Sequence, residues 1–324
     1  MRRCLFFFAL LLLPVAALAG MPAGSGTVSR APQAAGKVMA ARPRSGPQLT
    51  VPRTARLGDP FLIRLRSQSP MSAVSVTWLT RQCALSTTPA TLRDTGGAGG
   101  FEALALLGTD IGATATGRHE LKVSLKYGGR ALTLRAPIEI LPAEHPVEEL
   151  SLDPAMVNPP AEALPRIAEE RALVRRMLDR TLSRQATARL WSLPLARPVP
   201  GELSSEYGLR RVLNGQPRSP HRGMDLEAEE GQTVSAAADG VVLLAHDLYF
   251  AGNAVYLDHG QGLVTAYFHL SRLDVRPGER VRRGQALGLA GQTGRSTRAH
   301  LHFGVWALGR PVDPGPLLGY EDHP

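Results

Sequence analysis

Between residues 48 and 142 apolar side chains recur at every second position. Phe61, Ile63 and Leu65 alternate with Leu62, Arg64 and Arg66; Val74, Val76 and Trp78 alternate with Ser75 and Thr77; Leu121, Val123 and Leu125 alternate with Lys122 and Ser124. A period of two puts one set of side chains on the buried face of a strand and the other set toward solvent. Gly128-Gly129, between the last of these runs and Leu132 and Leu134, marks a two-residue hairpin. Several short strands at this spacing predict an antiparallel β-sandwich of immunoglobulin-like shape over 48–142. No Cys–Trp–Cys pattern accompanies it, so the expectation concerns architecture alone, and no residue in the segment suggests chemistry.

The period changes in the connector, 143–200. Behind Pro159-Pro160, the residues Leu164, Ile167, Val174, Leu178 and Leu182 fall on one helical face, with Glu169, Glu170, Arg175 and Arg176 mostly elsewhere. This predicts a helix over roughly 160–187, with Pro165 tolerated because it lies in the first turn. The helix is expected to pack across two β domains rather than to act as a lid. From 201 to 318 the pattern returns to short runs (233–237, 240–245, 253–258, 263–268, 285–290 and 301–306) separated by Gly-containing turns. It predicts a second, compact antiparallel β domain without a long helix, and a chain that is mostly β.

The N-terminal residues have no such role. Arg2 and Arg3 precede an apolar run from Leu5 to Ala17, and Ala17-Leu18-Ala19 is a small-x-small cleavage site. This predicts an export signal over 1–19. The run is short of the ~20 residues a membrane span needs, and no later stretch could cross a bilayer. Residues 20–47, rich in Gly, Ala, Pro and Arg, read as a flexible linker. Export would remove Cys4 and leave Cys83 alone, so no internal disulfide is expected and Cys83 is read as a small buried apolar residue.

The chain has 324 residues, room for two compact domains, and a formal charge of +9 carried almost entirely by Arg, with Lys only at 37, 122 and 126. A basic exported chain is drawn to an anionic envelope polymer by its long-range field; export argues against nucleic acid as the partner.

Histidines carry the chemistry. His221 and Asp225 stand four apart in His-Arg-Gly-Met-Asp, His269 lies in Tyr-Phe-His-Leu, and His300 and His302 flank Leu301. In a strand over 299–305 the last pair shares one face while Leu301 and Phe303 face the core. A catalytic zinc takes three protein ligands and keeps a fourth position for water. His221, Asp225 and one of His300 and His302 make that count. The other histidine of the pair and His269 then stand beside the metal, suited to move a proton or to hydrogen-bond an oxyanion. His-x-x-x-Asp alone is a weak signal and His-x-His on a strand a moderate one; their coincidence in one domain points to a metal site. His246 reads as a surface residue and His259, in Asp-His-Gly before a turn, as structural. His119 and His145 lie outside the domain and His323 in the tail.

The pieces His221-Arg-Gly-Met-Asp225, Ala238-Asp-Gly-Val-Val242, Asn253-Ala-Val-Tyr-Leu-Asp-His-Gly260, Thr265-Ala-Tyr-Phe-His-Leu270, Val281-Arg-Arg-Gly-Gln285, Gly291-Gln-Thr-Gly294 and His300-Leu-His-Phe303 follow one another in order. In sequence and spacing this stretch, roughly a third of the chain, resembles the M23 zinc metallopeptidases of the lysostaphin and LytM type. The resemblance implies a compact antiparallel β domain with an open groove and one zinc per chain. It implies His221, Asp225 and His302 as ligands and His269 and His300 as unbound catalytic residues. It further implies hydrolysis of peptide cross-links or bridges in bacterial peptidoglycan, by a zinc metalloendopeptidase in the periplasm or cell envelope. Some members have lost ligands and only activate other cell-wall enzymes. That non-catalytic, wall-binding role is the alternative, and no ligand position is missing here. Val281–Gly288 also resembles a turn of lipoyl and biotinyl carrier domains, but those need a modifiable Lys, and none follows residue 126.

Overall fold

The structure, a computed structural model, describes residues 39–41, 46–90, 100–151, 158–182 and 185–319. The predicted export signal lies outside these, as does most of the predicted linker. Within that linker, however, Met39–Ala41 forms a strand. In chain order the first strands are β1 (Met39–Ala41), β2 (Gln48–Val51), β3 (Thr54–Arg56), β4 (Phe61–Ser67), β5 (Met71–Trp78), β6 (Arg81–Ala84), β7 (Thr88–Ala90), β8 (Gly100–Leu107), β9 (Gly117–Tyr127) and β10 (Arg130–Leu141). They form two five-stranded sheets, ordered β1-β2-β4-β8-β7 and β3-β10-β9-β5-β6. One pairing departs from the antiparallel expectation: β3 runs parallel to β10.

Alternation explains the layering. Leu49, Ile63 and Leu65 of the first sheet share one core with Val76, Trp78, Leu121, Val123 and Ile138 of the second. The Trp78 indole, fully buried, donates to the Gly108 carbonyl at 2.8 Å and meets the Phe61 ring edge-on. Gly128 and Gly129, at φ 55 and 77, join β9 to β10 with Tyr127 opposite Arg130, the double positive φ that a tight hairpin requires. β8 breaks the alternation and is apolar almost throughout because both its faces are covered. Ala103, Ala105 and Leu107 enter the sandwich core, while Leu104 and Leu106 enter the core of the C-terminal domain.

The connector holds both a strand and a helix. β11 (Val147–Leu150) runs parallel to β13 (Arg210–Leu213), which pairs in turn with β14 (Gln216–Pro217). A single 3-10 turn, Ala161–Ala163, leads into α1 (Leu164–Thr181), with Pro165 in its first turn. The helix ends before the predicted 187: Leu182, at ψ 53, leaves helical geometry and packs toward the sandwich core. Ile167, Met177 and Leu178 are buried, but Leu164, assigned by its spacing to the apolar face, is 53% exposed in the first turn.

The remaining strands are β12 (Leu203–Ser205), β15 (Met224–Glu227), β16 (Thr233–Ser235), β17 (Gly240–Leu248), β18 (Gly252–Asp258), β19 (Leu263–Leu273), β20 (Arg280–Val281), β21 (Ala286–Ala290), β22 (His300–Ala307) and β23 (Arg310–Val312). Their central path runs β12-β15-β22-β19-β18-β17-β20. One face, with Leu226, Val255, Tyr267, Leu301, Phe303 and Val305, forms the domain core. The other carries Ala254, Tyr256, Val264, Ala266, Phe268 and Trp306 and is covered by Met177 and Leu178 of α1. Burying two such side chains contributes on the order of 1.5–3 kcal/mol each. Because side chains on β22 alternate, His300 and His302 share a face with Trp306, so α1 covers the continuation of the face that bears the histidines. No described helix is long and apolar enough to cross a membrane.

Candidate active site

Strand register brings the site together. On neighbouring strands Asp225 (β15) lies opposite His302 (β22), and His302 lies opposite Phe268 (β19), whose ring stacks on the His302 imidazole at 5.0 Å between centroids. His221 precedes β15 and reaches back across Gly223. A Cβ at Gly223 would come within 2.5 Å of His302 Nε2 and 2.6 Å of the Phe303 carbonyl oxygen, so this approach requires glycine.

The donor atoms converge. His221 Nε2 lies 2.9 Å from His302 Nδ1 and 3.0 Å from Asp225 Oδ1, and His302 Nδ1 lies 2.8 Å from the same carboxylate oxygen. His221 and Asp225 are buried and His302 half-buried. His221 Nδ1 lies 2.8 Å from the Glu206 carbonyl, which can only accept, so Nδ1 carries the proton and Nε2 is a bare lone pair. A bare imidazole nitrogen and a carboxylate oxygen 3.0 Å apart repel each other unless a cation lies between them. Two imidazole nitrogens and a carboxylate oxygen are also the donor types zinc takes, with the Glu206 carbonyl orienting one ring from behind. The residues therefore fit a zinc ion.

The two other predicted histidines stand beside this cluster. His300 Nε2 is 3.7 Å from Asp225 Oδ1, and its Nδ1–H donates to the Arg298 carbonyl at 2.9 Å, with Ser296 Oγ at 3.1 Å. The rings of His269 and His300 are 4.8 Å apart. His269 sits in a β-bulge: Asn253 pairs with Leu270 and Val255 with Tyr267, leaving two residues of β19 against one of β18. Its φ of 64 is left-handed, and its Nδ1–H donates to the Thr293 carbonyl at 2.8 Å. Burial first, then the neighbouring His302 and His300, push this imidazole down to about 3. It is neutral, with Nε2 bare.

All five side chains read from the sequence thus come together. The groups that orient them are not legible in the sequence, because the Glu206, Thr293 and Arg298 carbonyls are backbone atoms that no residue type advertises. Gly291-Gln-Thr-Gly294 was the available pointer to the Thr293 loop. Elsewhere, His246 is exposed, and His259 is buried with its nitrogens 2.7 Å from the Asp239 carbonyl and 2.7 Å from Thr265 Oγ1. Cys83 is buried in the sandwich core, and that burial pushes its thiol up to about 11, which leaves it unreactive.

Residues 219–314 match the sequence profile of peptidase family M23. Over 112 residues the chain is 41% identical to the peptidoglycan DD-endopeptidase ShyA of Vibrio cholerae, an alignment covering 34% of this chain and 26% of that protein. Over another 112-residue alignment it is 43% identical to the DD-carboxypeptidase/endopeptidase Mpg of Neisseria meningitidis, covering 35% of this chain and 26% of Mpg. The chain therefore spans about a quarter of the length of these curated relatives. The crystal structure of a candidate M23 peptidase from Pseudomonas aeruginosa is similar at a TM-score of 0.58 and 26% identity, over 81% of this chain and 94% of that one. Coverage of that extent reaches beyond 219–314 into the upstream sandwich.

Proposed function

We propose that the chain, whose residues 219–314 match peptidase family M23, is a zinc-dependent endopeptidase that hydrolyses peptide cross-links of bacterial peptidoglycan in the cell envelope. The observation that carries the reading is the convergence of His221 Nε2, Asp225 Oδ1 and His302 Nδ1 within 3.0 Å of one another, with His269 and His300 alongside. His221, Asp225 and His302 would hold one zinc ion per chain. When bound, zinc supplies Lewis acidity, polarising the scissile carbonyl and bringing the pKa of water toward about 7.

The chain's own residues do the rest. His269 and His300 each commit Nδ1–H to a backbone carbonyl, which fixes the ring and leaves Nε2 to take up a proton; that of His300 lies 3.7 Å from Asp225 Oδ1. A bare Nε2 is the acceptor that general-base catalysis needs; once protonated it is the donor that the leaving amine needs. Glu206, through its carbonyl, keeps His221 in the tautomer that can ligate. The activity in the names of ShyA and Mpg supports the cross-link between D-amino acids as the bond cut, over a glycine bridge or the bond to the sugar lactyl group. We read the N-terminal sandwich as immunoglobulin-like in shape and the first 19 residues as the route to the envelope. The complete ligand set weighs against the non-catalytic activator.

The test is incubation of the zinc-loaded chain with purified peptidoglycan, followed by mass spectrometry of the released fragments. Cross-linked fragments should gain one water and separate at the cross-link, the reaction should stop with a chelator, and added zinc should restore it. Cross-links left intact by protein carrying one zinc per chain would overturn the proposal and favour the activator.

A further inference from the structure

We propose that Glu170 on α1 is a positioning residue for His269, acting through the turn that joins β17 to β18. This rests on the reading that His269 belongs to the reacting site. Glu170 lies outside the segment that matches the family, and its half-buried carboxylate grips the turn directly. Oε2 accepts the Tyr249 backbone N–H at 2.8 Å, while Oε1 accepts from Arg166 Nε at 2.6 Å. Arg166 in turn donates to the carbonyl and the carboxylate of Asp247, at 3.2 and 2.9 Å, so two helix side chains clamp the end of β17.

The clamped turn is what holds His269. The Ala251 carbonyl accepts the His269 backbone N–H at 2.9 Å. The Phe250 carbonyl accepts the Arg295 N–H at 2.9 Å, and Asn253 N–H donates to Thr293 Oγ1 at 3.0 Å. Gly252, at φ 61, lies so close to Thr293 that no side chain fits between them. The turn therefore fixes both the backbone of His269 and the Thr293 loop whose carbonyl fixes its ring. A non-glycine residue in the left-handed region persists only where its surroundings over-determine it, and here those surroundings are the turn and the Thr293 loop. The helix itself docks through Met177 and Leu178, away from Glu170, so loss of the carboxylate leaves its packing in place.

Three zinc-loaded full-length proteins decide the matter: wild type, Glu170→Ala and Glu170→Gln. Each is assayed for kcat and KM on a soluble cross-linked muropeptide, for zinc content, and for hydrogen exchange of the His269 amide. Glu170→Ala should keep one zinc and its KM, lose about tenfold or more in kcat, and exchange the His269 amide faster. Glu170→Gln retains an oxygen to accept the Tyr249 N–H and should restore both kcat and protection. Wild-type kcat or wild-type exchange in Glu170→Ala, or no rescue by Glu170→Gln, would overturn the proposal. Should the wild-type chain itself show no turnover, it is the functional reading that fails, and the exchange measurement alone then decides whether Glu170 holds His269.

Discussion

Lowering the pH from 6.5 to 4 should cost the fold about 3 kcal/mol through one buried imidazole, His259. The residue is 0% exposed. The Asp239 carbonyl can only accept, so His259 Nδ1 carries the proton and Nε2 must accept from the Thr265 hydroxyl. The 3.0 Å contact between Thr265 Oγ1 and Tyr267 Oη is then carried by the Tyr267 proton, and Tyr267 Oη accepts the Ala237 N–H at 2.8 Å. Every group in this buried chain is satisfied, on condition that the imidazole is neutral. Burial accordingly pushes His259 down from 6.5 to about 4, the Asp239 carbonyl opposing only in part. Between these values the unfolded chain binds the proton and the folded one does not, so stability is complete above 6.5, falls as the pH falls, and levels off below about 4. At 1.36 kcal/mol per pH unit that interval gives the stated figure. Urea unfolding of wild type and of His259→Gln, followed across the interval, isolates the effect, because any acid weakening of the proposed metal ligands is common to both proteins. Wild type should lose about 3 kcal/mol more than the variant. Parallel curves for the two would refute the assignment of a neutral His259.

Three further outcomes concern the cluster. Asp225→Ala removes one of three convergent donors, and dialysed protein should carry almost no zinc by atomic emission and release no peptide; retained stoichiometry would contradict the ligand set. His300→Ala should keep its zinc while kcat falls by about 10²–10⁴, the usual worth of a proton-transfer group; an unchanged rate would show the role is misplaced. Gly223→Ala places a methyl group against His302 Nε2 and the Phe303 carbonyl. It should weaken zinc binding by about 10–100-fold in a chelator competition, an effect absent if the two segments do not approach as closely as drawn.

What the sequence made legible is what depends on neighbours in the chain. The two-residue period of β4, β5 and β9 needs only side chains facing one core, and the Gly128-Gly129 turn needs only its own φ angles. His300 and His302 fall on one face by the same local rule. β8 escaped that rule because Leu104 and Leu106 are buried by a different domain from Ala103 and Ala105, and a strand covered on both sides shows no alternation. β11 escaped it because Val-Glu-Glu-Leu has no pattern of its own and becomes a strand by pairing with β13, some sixty residues away. The end of α1 is set by where Leu182 turns toward the sandwich, not by any stop residue. The site divides in the same way. Its five side chains carry names that a sequence displays, whereas the carbonyls that fix their tautomers belong to Glu206, Thr293 and Arg298, whose side-chain identities say nothing about them. His269 shows the limit most clearly: its identity is local, but its left-handed backbone is imposed by a bulge and held by Ala251 across the sheet. The geometry that makes it useful is thus a property of the fold and not of the motif.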